Sequence, residues 1–215
     1  MNNYTTKQKK LLICADSFCA DDNLNSWSWW NRLANELNAE TINLSISGAS
    51  NLNIFLQLEH GLSLDPDYIL ISLTSPLRIE EVKSPLLEED LDFTFDDIQK
   101  NRVNSWIIRE RVERGEISLD VANKFFDYKI DKRKNDCIAE SIVNMCPDKN
   151  VCILANLFHD CNIKNKINYN IVPRDYSDVV TGQIDEPEAG HIHKTYHEKF
   201  YNDHKEELLS YYETK

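Results

Sequence analysis

The sequence predicts an α/β fold: a three-layer α/β/α sandwich with a mainly parallel sheet plus a helical insertion. It reads as one domain over residues 1–215. Three observations predict this. Short, nearly continuous apolar runs recur at residues 10–15, 68–73 and 151–157, as in strands buried on both faces. Stretches with apolar residues at helical spacing lie between them. Strand and helix signals alternate, the order that builds parallel sheets from crossover units.

The elements follow in order. Residues 10–15 form a strand ending near Asp16. Residues 26–38 form a helix, with Trp30, Leu33, Ala34 and Leu37 on one face. A second strand over 40–45 runs into Ser47-Gly48-Ala49-Ser50, a turn signal. A helix over 51–60 turns Ile54, Phe55 and Leu58 inward. Asp65-Pro66-Asp67 is a turn, and 68–73 is the strongest strand.

The stretch from Ile79 to Cys146 interrupts the alternation. It is acidic at Glu88, Glu89, Asp90 and Asp92, which reads as a solvated loop, and then helical from Asp96 to about Arg114. Gly115 stops that helix. Ser118 is the N-cap of another reaching about Met145, with Val121, Phe125, Tyr128, Ile138, Ile142 and Met145 as its apolar positions. The expected insertion, about 80–145, is thus a helical pair. Trp106, Ile107, Phe125, Phe126 and Tyr128 are too many large groups to leave in water at about 1.5–3 kcal/mol each. The insertion should shape access to a site or bury a face in a homo-oligomer. A last helix covers 195–211.

A net charge of −12 over 215 residues argues against a nucleic-acid partner, because neutralising phosphates needs clustered Lys and Arg. Lys7, Lys9 and Lys10 read as a solvated arm before the first strand. The first apolar run is too short for a signal segment or a membrane span, so the expected location is cytoplasmic, with no membrane partner. Six cysteines in a reducing compartment are thiols, and Cys14 and Cys152 sit in strand-like runs as small core residues. No CxxC pair is present, which argues against zinc-ribbon chemistry.

Ligands of parallel sheets collect outside the carboxyl ends of the strands. Asp16-Ser17 follows the first strand, so Ser17 is a candidate nucleophile and nearby backbone amides can bind an oxyanion. Serines after strands are also common as helix caps. The tail adds Glu188, three residues before His191. On a turn, positions i and i+3 face the same way, so the carboxylate can hold the imidazole in one tautomer. The imidazole can then take the serine proton. The plainer reading of this pair is a surface acid–histidine contact. Trp27, Trp29 and Trp30 either stack on a substrate ring or, more simply, pack the first helix.

Together these blocks resemble the SGNH (GDSL-like) hydrolase superfamily. Ala15-Asp16-Ser17-Phe18 is similar to the family's Gly-Asp-Ser block, and residues 26–37 to its first helix. Residues 43–50 resemble the second block, whose glycine amide helps form the oxyanion hole. Residues 67–73 resemble the strand leading to the third block, and Glu188-Ala189-Gly190-His191, with His197 beyond it, the closing block. The resemblance covers most of the chain except the insertion. It implies hydrolysis of a small ester-like substrate through a covalent serine intermediate, with no metal and no cofactor. Ser17, His191 and Glu188 would be catalytic. Gly48, Asn51 and Thr74 would line the oxyanion and substrate site.

Three departures stand out. Ala15 replaces the first glycine. Glu188 replaces the usual aspartate, with Asp185 a nearby alternative. Pro76 occupies about the position of the third block's asparagine, and proline has neither a side-chain donor nor an N–H. A missing oxyanion donor costs about 2.7–4 kcal/mol of transition-state stabilisation. Asn51, Thr74 or Arg78 are the candidate replacements. Two rival readings follow: a non-catalytic small-ligand-binding protein on a degenerate fold, or a metal-dependent hydrolase built on His191, His193, His197 and His204.

Overall fold

A computed structural model describes residues 8–20, 28–74, 78–82, 94–99, 103–125, 128–147, 150–155, 166–168 and 197–212. Strand side chains alternate between faces, and the first strand, β1 (Lys9–Cys14), shows why it had to be central. Leu11 and Ile13 enter one apolar cluster, Leu12 and Cys14 the other, and all four are fully buried. The chain continues through α1 (Trp29–Glu36), β2 (Ala39–Asn43), α2 (Asn51–Leu62) and β3 (Tyr68–Ser72). Then come β4 (Arg78–Val82), α3 (Phe95–Gln99), β5 (Val103–Ile107), α4 (Ile108–Glu113), α5 (Leu119–Phe125) and α6 (Tyr128–Met145). It closes with β6 (Val151–Ala155), β7 (Lys166–Asn168) and α7 (His197–Ser210).

The main sheet has the order β2-β1-β3-β6-β7, and every pairing in it is parallel. Trp29 and Leu33 of α1 and Phe200 and Leu208 of α7 fill one face; Ile54 and Leu58 of α2 and Ala139 and Ile142 of α6 fill the other. The result is the three-layer α/β/α sandwich. Gly61 lets α2 lie tightly on the sheet: a Cβ there would lie 2.6 Å from both Leu12 methyl carbons. From β1 the chain steps outward to β2, then crosses back to place β3 on the other side of β1. This reversal is a topological switch point, where the carboxyl ends of β1 and β3 diverge and leave a crevice.

The structure departs from the sequence expectations in four places. Lys9 belongs to β1 rather than to an arm before it, and so does Lys10, which the expected strand over 10–15 already included. The Lys9 ammonium bonds the Tyr68 hydroxyl, and Lys10 Nζ donates to the Leu64 carbonyl at 2.8 Å. The helix expected from Asp96 to Arg114 is divided, because residues 103–107 form β5. This strand pairs antiparallel with β4 as a separate ribbon, with Arg78 opposite Ile107 and Val82 opposite Val103. The insertion is therefore mixed rather than helical, and α6 belongs to the sandwich. Val121, expected inward, is 42% exposed, and Leu119 beside it is 62% exposed. Finally, β7 adds an unexpected edge strand beside β6. The side chains of Trp106, Ile107, Phe125, Phe126 and Tyr128 lie outside the described residues.

Local signals were accurate in the same region. The Ser118 hydroxyl accepts the Val121 N–H at 3.2 Å, as an N-cap does. Gly115, at φ 71°, ends α4 with its own N–H on the Val112 carbonyl and that of Glu116 on Arg111, the paired bonds of a Schellman stop. Among the described residues no helix is long and apolar enough to cross a membrane.

Candidate active site

Backbone pairing carries the strand ends past the last regular ladder. Leu44 N–H bonds the Ile13 carbonyl at 2.9 Å and Ile46 N–H the Ala15 carbonyl at 3.2 Å. The chain after β2 thus runs beside β1 until Ser17 is only two residues away. It then turns: Ala49 N–H reaches back to the Ile46 carbonyl at 3.0 Å, with Gly48 at φ 78°, a third-position conformation of the kind glycine supplies in type II turns. Ser50 caps α2 by accepting the Asn53 N–H at 3.3 Å. On the other flank Leu73 N–H bonds the Leu154 carbonyl at 2.8 Å, extending β3 toward Thr74. Ser17, Gly48 and Thr74 therefore all leave the sheet at its carboxyl edge.

Asp16 organises the turn that presents Ser17. Its carbonyl accepts the N–H groups of Cys19 and Ala20 at 3.1 and 3.0 Å, and its Oδ1 accepts that of Phe18 at 3.0 Å. Such local side-chain bonds let aspartate hold a tight turn. Oδ2 crosses the switch point and accepts the Thr74 hydroxyl at 2.6 Å. Two amides brace the same turn. Gln57 Nε2 donates to the Ala15 carbonyl at 3.2 Å, and Asn43 Nδ2 to the Cys19 carbonyl at 2.8 Å. Phe18 packs against Trp29 and Phe200, with ring centroids 5.7 and 5.8 Å apart. The half-buried Ser17 is thus gripped on both sides.

Thr74 and Asn51 act below this surface. Asn51, fully buried at the start of α2, accepts the Thr74 N–H on Oδ1 at 2.9 Å. Its Nδ2 donates to the Thr74 carbonyl at 3.2 Å and to Asn135 Oδ1 at 3.0 Å. An amide has two N–H groups, so both are committed within the fold. Asn51 is placed as a bracket for the end of β3 rather than as an oxyanion donor. Thr74 is 5% exposed, and its hydroxyl is engaged by Asp16 and by Arg78 Nε at 3.0 Å. Gln57 and Asn135 were absent from the expected site; Asp16 entered it only as part of the Asp16-Ser17 block, and Arg78 only as one candidate replacement donor. Gln57 and Asn135 had a legible signal, since each is a polar residue on an inward helical stripe.

Glu188, His191, Asp185 and His193 lie outside the described residues, as do Pro76 and Trp27. The two described tail histidines have structural partners. His197 Nδ1 accepts the N–H of Trp29, the first residue of α1, at 3.3 Å, a bond that Ser28's side chain does not supply. His204 packs on the Phe200 ring, and burial pushes its pKa down to about 4. Among the described residues no group of three His, Cys, Asp or Glu is arranged to hold a metal. Burial raises the thiols of Cys14 and Cys19 well above their ordinary range and that of Cys146 to about 12, so none of these is a ready thiolate nucleophile. Trp29 and Trp30 are core residues, at 0% and 6% exposure.

No family model matches the chain, and no curated protein does. Among solved structures it is similar to the crystal structure of TesA, at 14% identity and a TM-score of 0.44, over 94% of this chain and 98% of that one.

Proposed function

We propose that this chain is a serine hydrolase acting on a small ester-like substrate. The observation that carries the reading is the bracketed Ser17 turn at the switch point, beside the Gly48 turn. Ser17 Oγ attacks the carbonyl carbon while His191 takes the hydroxyl proton and Glu188 holds the imidazole. As the serine lone pair forms the new C–O bond, the carbonyl π pair moves onto the carbonyl oxygen, where the amides of Ser17 and Gly48 stabilise it. Collapse breaks the bond to the leaving group, which departs with the proton from His191. Water then attacks the acyl carbon as His191 takes its proton; the bond to Ser17 Oγ breaks, His191 returns the proton to Oγ, and the acid leaves. These steps need no metal.

A fluorophosphonate probe tests this directly, since its P–F bond breaks as a P–O bond forms to an activated serine. We expect labelling of Ser17, loss of all labelling in Ser17→Ala, and no effect of a chelator. A folded protein that takes up no probe sinks the enzyme reading. It would favour a binding protein, the reading that the commitment of the Asn51 amide to Thr74 and Asn135 supports. Turnover killed by the chelator and untouched by Ser17→Ala would favour the metal site.

A further inference from the structure

The geometry points to Arg78 as a further oxyanion donor beside the Ser17 and Gly48 amides. This rests on the Ser17 reading above and deepens it. Arg78 opens β4, and its pairing with Ile107 of β5 fixes its backbone. The ribbon, which interrupts the sandwich pattern, thereby delivers a cation to the carboxyl edge of the main sheet. Three contacts aim the guanidinium there. Nε donates to Thr74 Oγ1 at 3.0 Å, and Nη1 donates to the Gly48 carbonyl at 3.2 Å. Nη2 lies 3.8 Å from Asp16 Oδ2, close enough for charge attraction and too far for a hydrogen bond. The guanidinium therefore touches all three segments that build the site: the Asp16-Ser17 turn, the Gly48 turn and the end of β3.

The donor arithmetic supports the assignment. A guanidinium has five N–H groups, and among the described residues its hydrogen bonds are those to Thr74 and Gly48. Asn51 is committed on both N–H groups, and Thr74 gives its hydroxyl proton to Asp16. Beside the Ser17 and Gly48 amides, and among the described side chains at this corner, Arg78 has donors in hand. Its side chain is 18% exposed, so water screens it little. A charge-assisted bond to a developing oxyanion is roughly twice as strong as a neutral one. The cation also offsets the Asp16 carboxylate, which would otherwise oppose negative charge forming next to Ser17.

The test is the rate of Ser17 phosphonylation by a fluorophosphonate, with hydrolysis of p-nitrophenyl and phenyl acetate measured alongside. Removing one oxyanion donor slows such chemistry by about 100-fold or more. We expect Arg78→Met to lose about that factor at unchanged melting temperature, and Arg78→Lys to recover part of it. The loss should be larger for phenyl than for p-nitrophenyl acetate, because a poorer leaving group demands more oxyanion stabilisation. A merely structural role would not grade with the leaving group. If wild type labels and Arg78→Met labels at the same rate, the Arg78 assignment is overturned and the Ser17 reading stands. If folded wild type does not label, both fall together. Should Arg78→Met fail to fold, Arg78→Lys and Arg78→Gln serve instead: a loss graded with leaving group supports the donor role, and wild-type rates in both overturn it.

Discussion

The face of the sheet under α1 and α7 is lined with rings, whereas the face under α2 and α6 is aliphatic with buried amides among the side chains. Trp29, Trp30, Tyr68, Phe200, Tyr201 and Tyr212 are all buried on the first face. The second is filled mainly by Leu, Ile, Val and Ala, with Cys14 among them and Phe55 at its margin, and Asn51, Gln57 and Asn135 are buried along its helices. Rings bring polar tips that need partners. Tyr212 finds the Ile69 carbonyl at 3.2 Å, while among the described residues Trp29 Nε1 and Tyr201 Oη, like Gln57 Oε1 on the other face, have no hydrogen-bond partner. Aliphatic side chains offer the amides nothing to bond, so Gln57 and Asn51 spend their hydrogens on Ala15 and Thr74 at the strand ends. We expect stability and acid sensitivity to rest mainly on the aromatic face, and alignment of the strand ends mainly on the buried amides of the aliphatic one.

The largest expected effect is on the aromatic side. Trp29→Ala should cost about 4 kcal/mol of stability through the cavity it leaves, read by denaturant unfolding. Well below its melting point, the folded fraction should still label at Ser17 within a fewfold of wild type. If it labels as slowly as an Asn51 variant, the division of labour between faces is broken. Asn51→Ala should cost less stability, about 2 kcal/mol, because it strands the Thr74 N–H without a partner. Its labelling should slow by about tenfold or more, since a 1 Å misplacement can cost about 100-fold.

The smallest effect is in pH. His204 is held neutral in the fold, with its pKa near 4 against an ordinary 6.5. The unfolded chain takes up its proton first as pH falls, so stability should be full above about pH 6.5 and decline toward pH 4. Below that the slope from this group ends. With His204 half-exposed, the loss is about 1 kcal/mol after allowing for solvent screening. His204→Phe should flatten this part of the stability–pH curve. An unchanged curve would move the acid sensitivity away from the aromatic face.

The chain's local chemistry was legible because it is written in neighbouring residues. The apolar runs of β1, β3 and β6 needed burial on both faces, and that requirement alone predicts a covered parallel sheet. Gly115 and Ser118 stop and start helices through bonds within a few residues. The Asp16-Ser17 block and the Gly48 turn were likewise visible, since each is a short segment at a strand end. Nothing local announced that 103–107 pairs with 78–82 across a long excursion. Strand pairing satisfies N–H and C=O groups between distant segments, so its energy belongs to the pair and not to either sequence. The same holds for Asn51, whose amide has equal reach in an isolated helix toward solvent or substrate. Only the packed position of β3 beside α2 turned it onto Thr74. Arg78 was legible only as one of three candidate donors, and it is the ribbon that sets it against Gly48 and Asp16. Composition, period and caps determined the layers and the strand-end serine; tertiary packing decided which polar groups brace that serine.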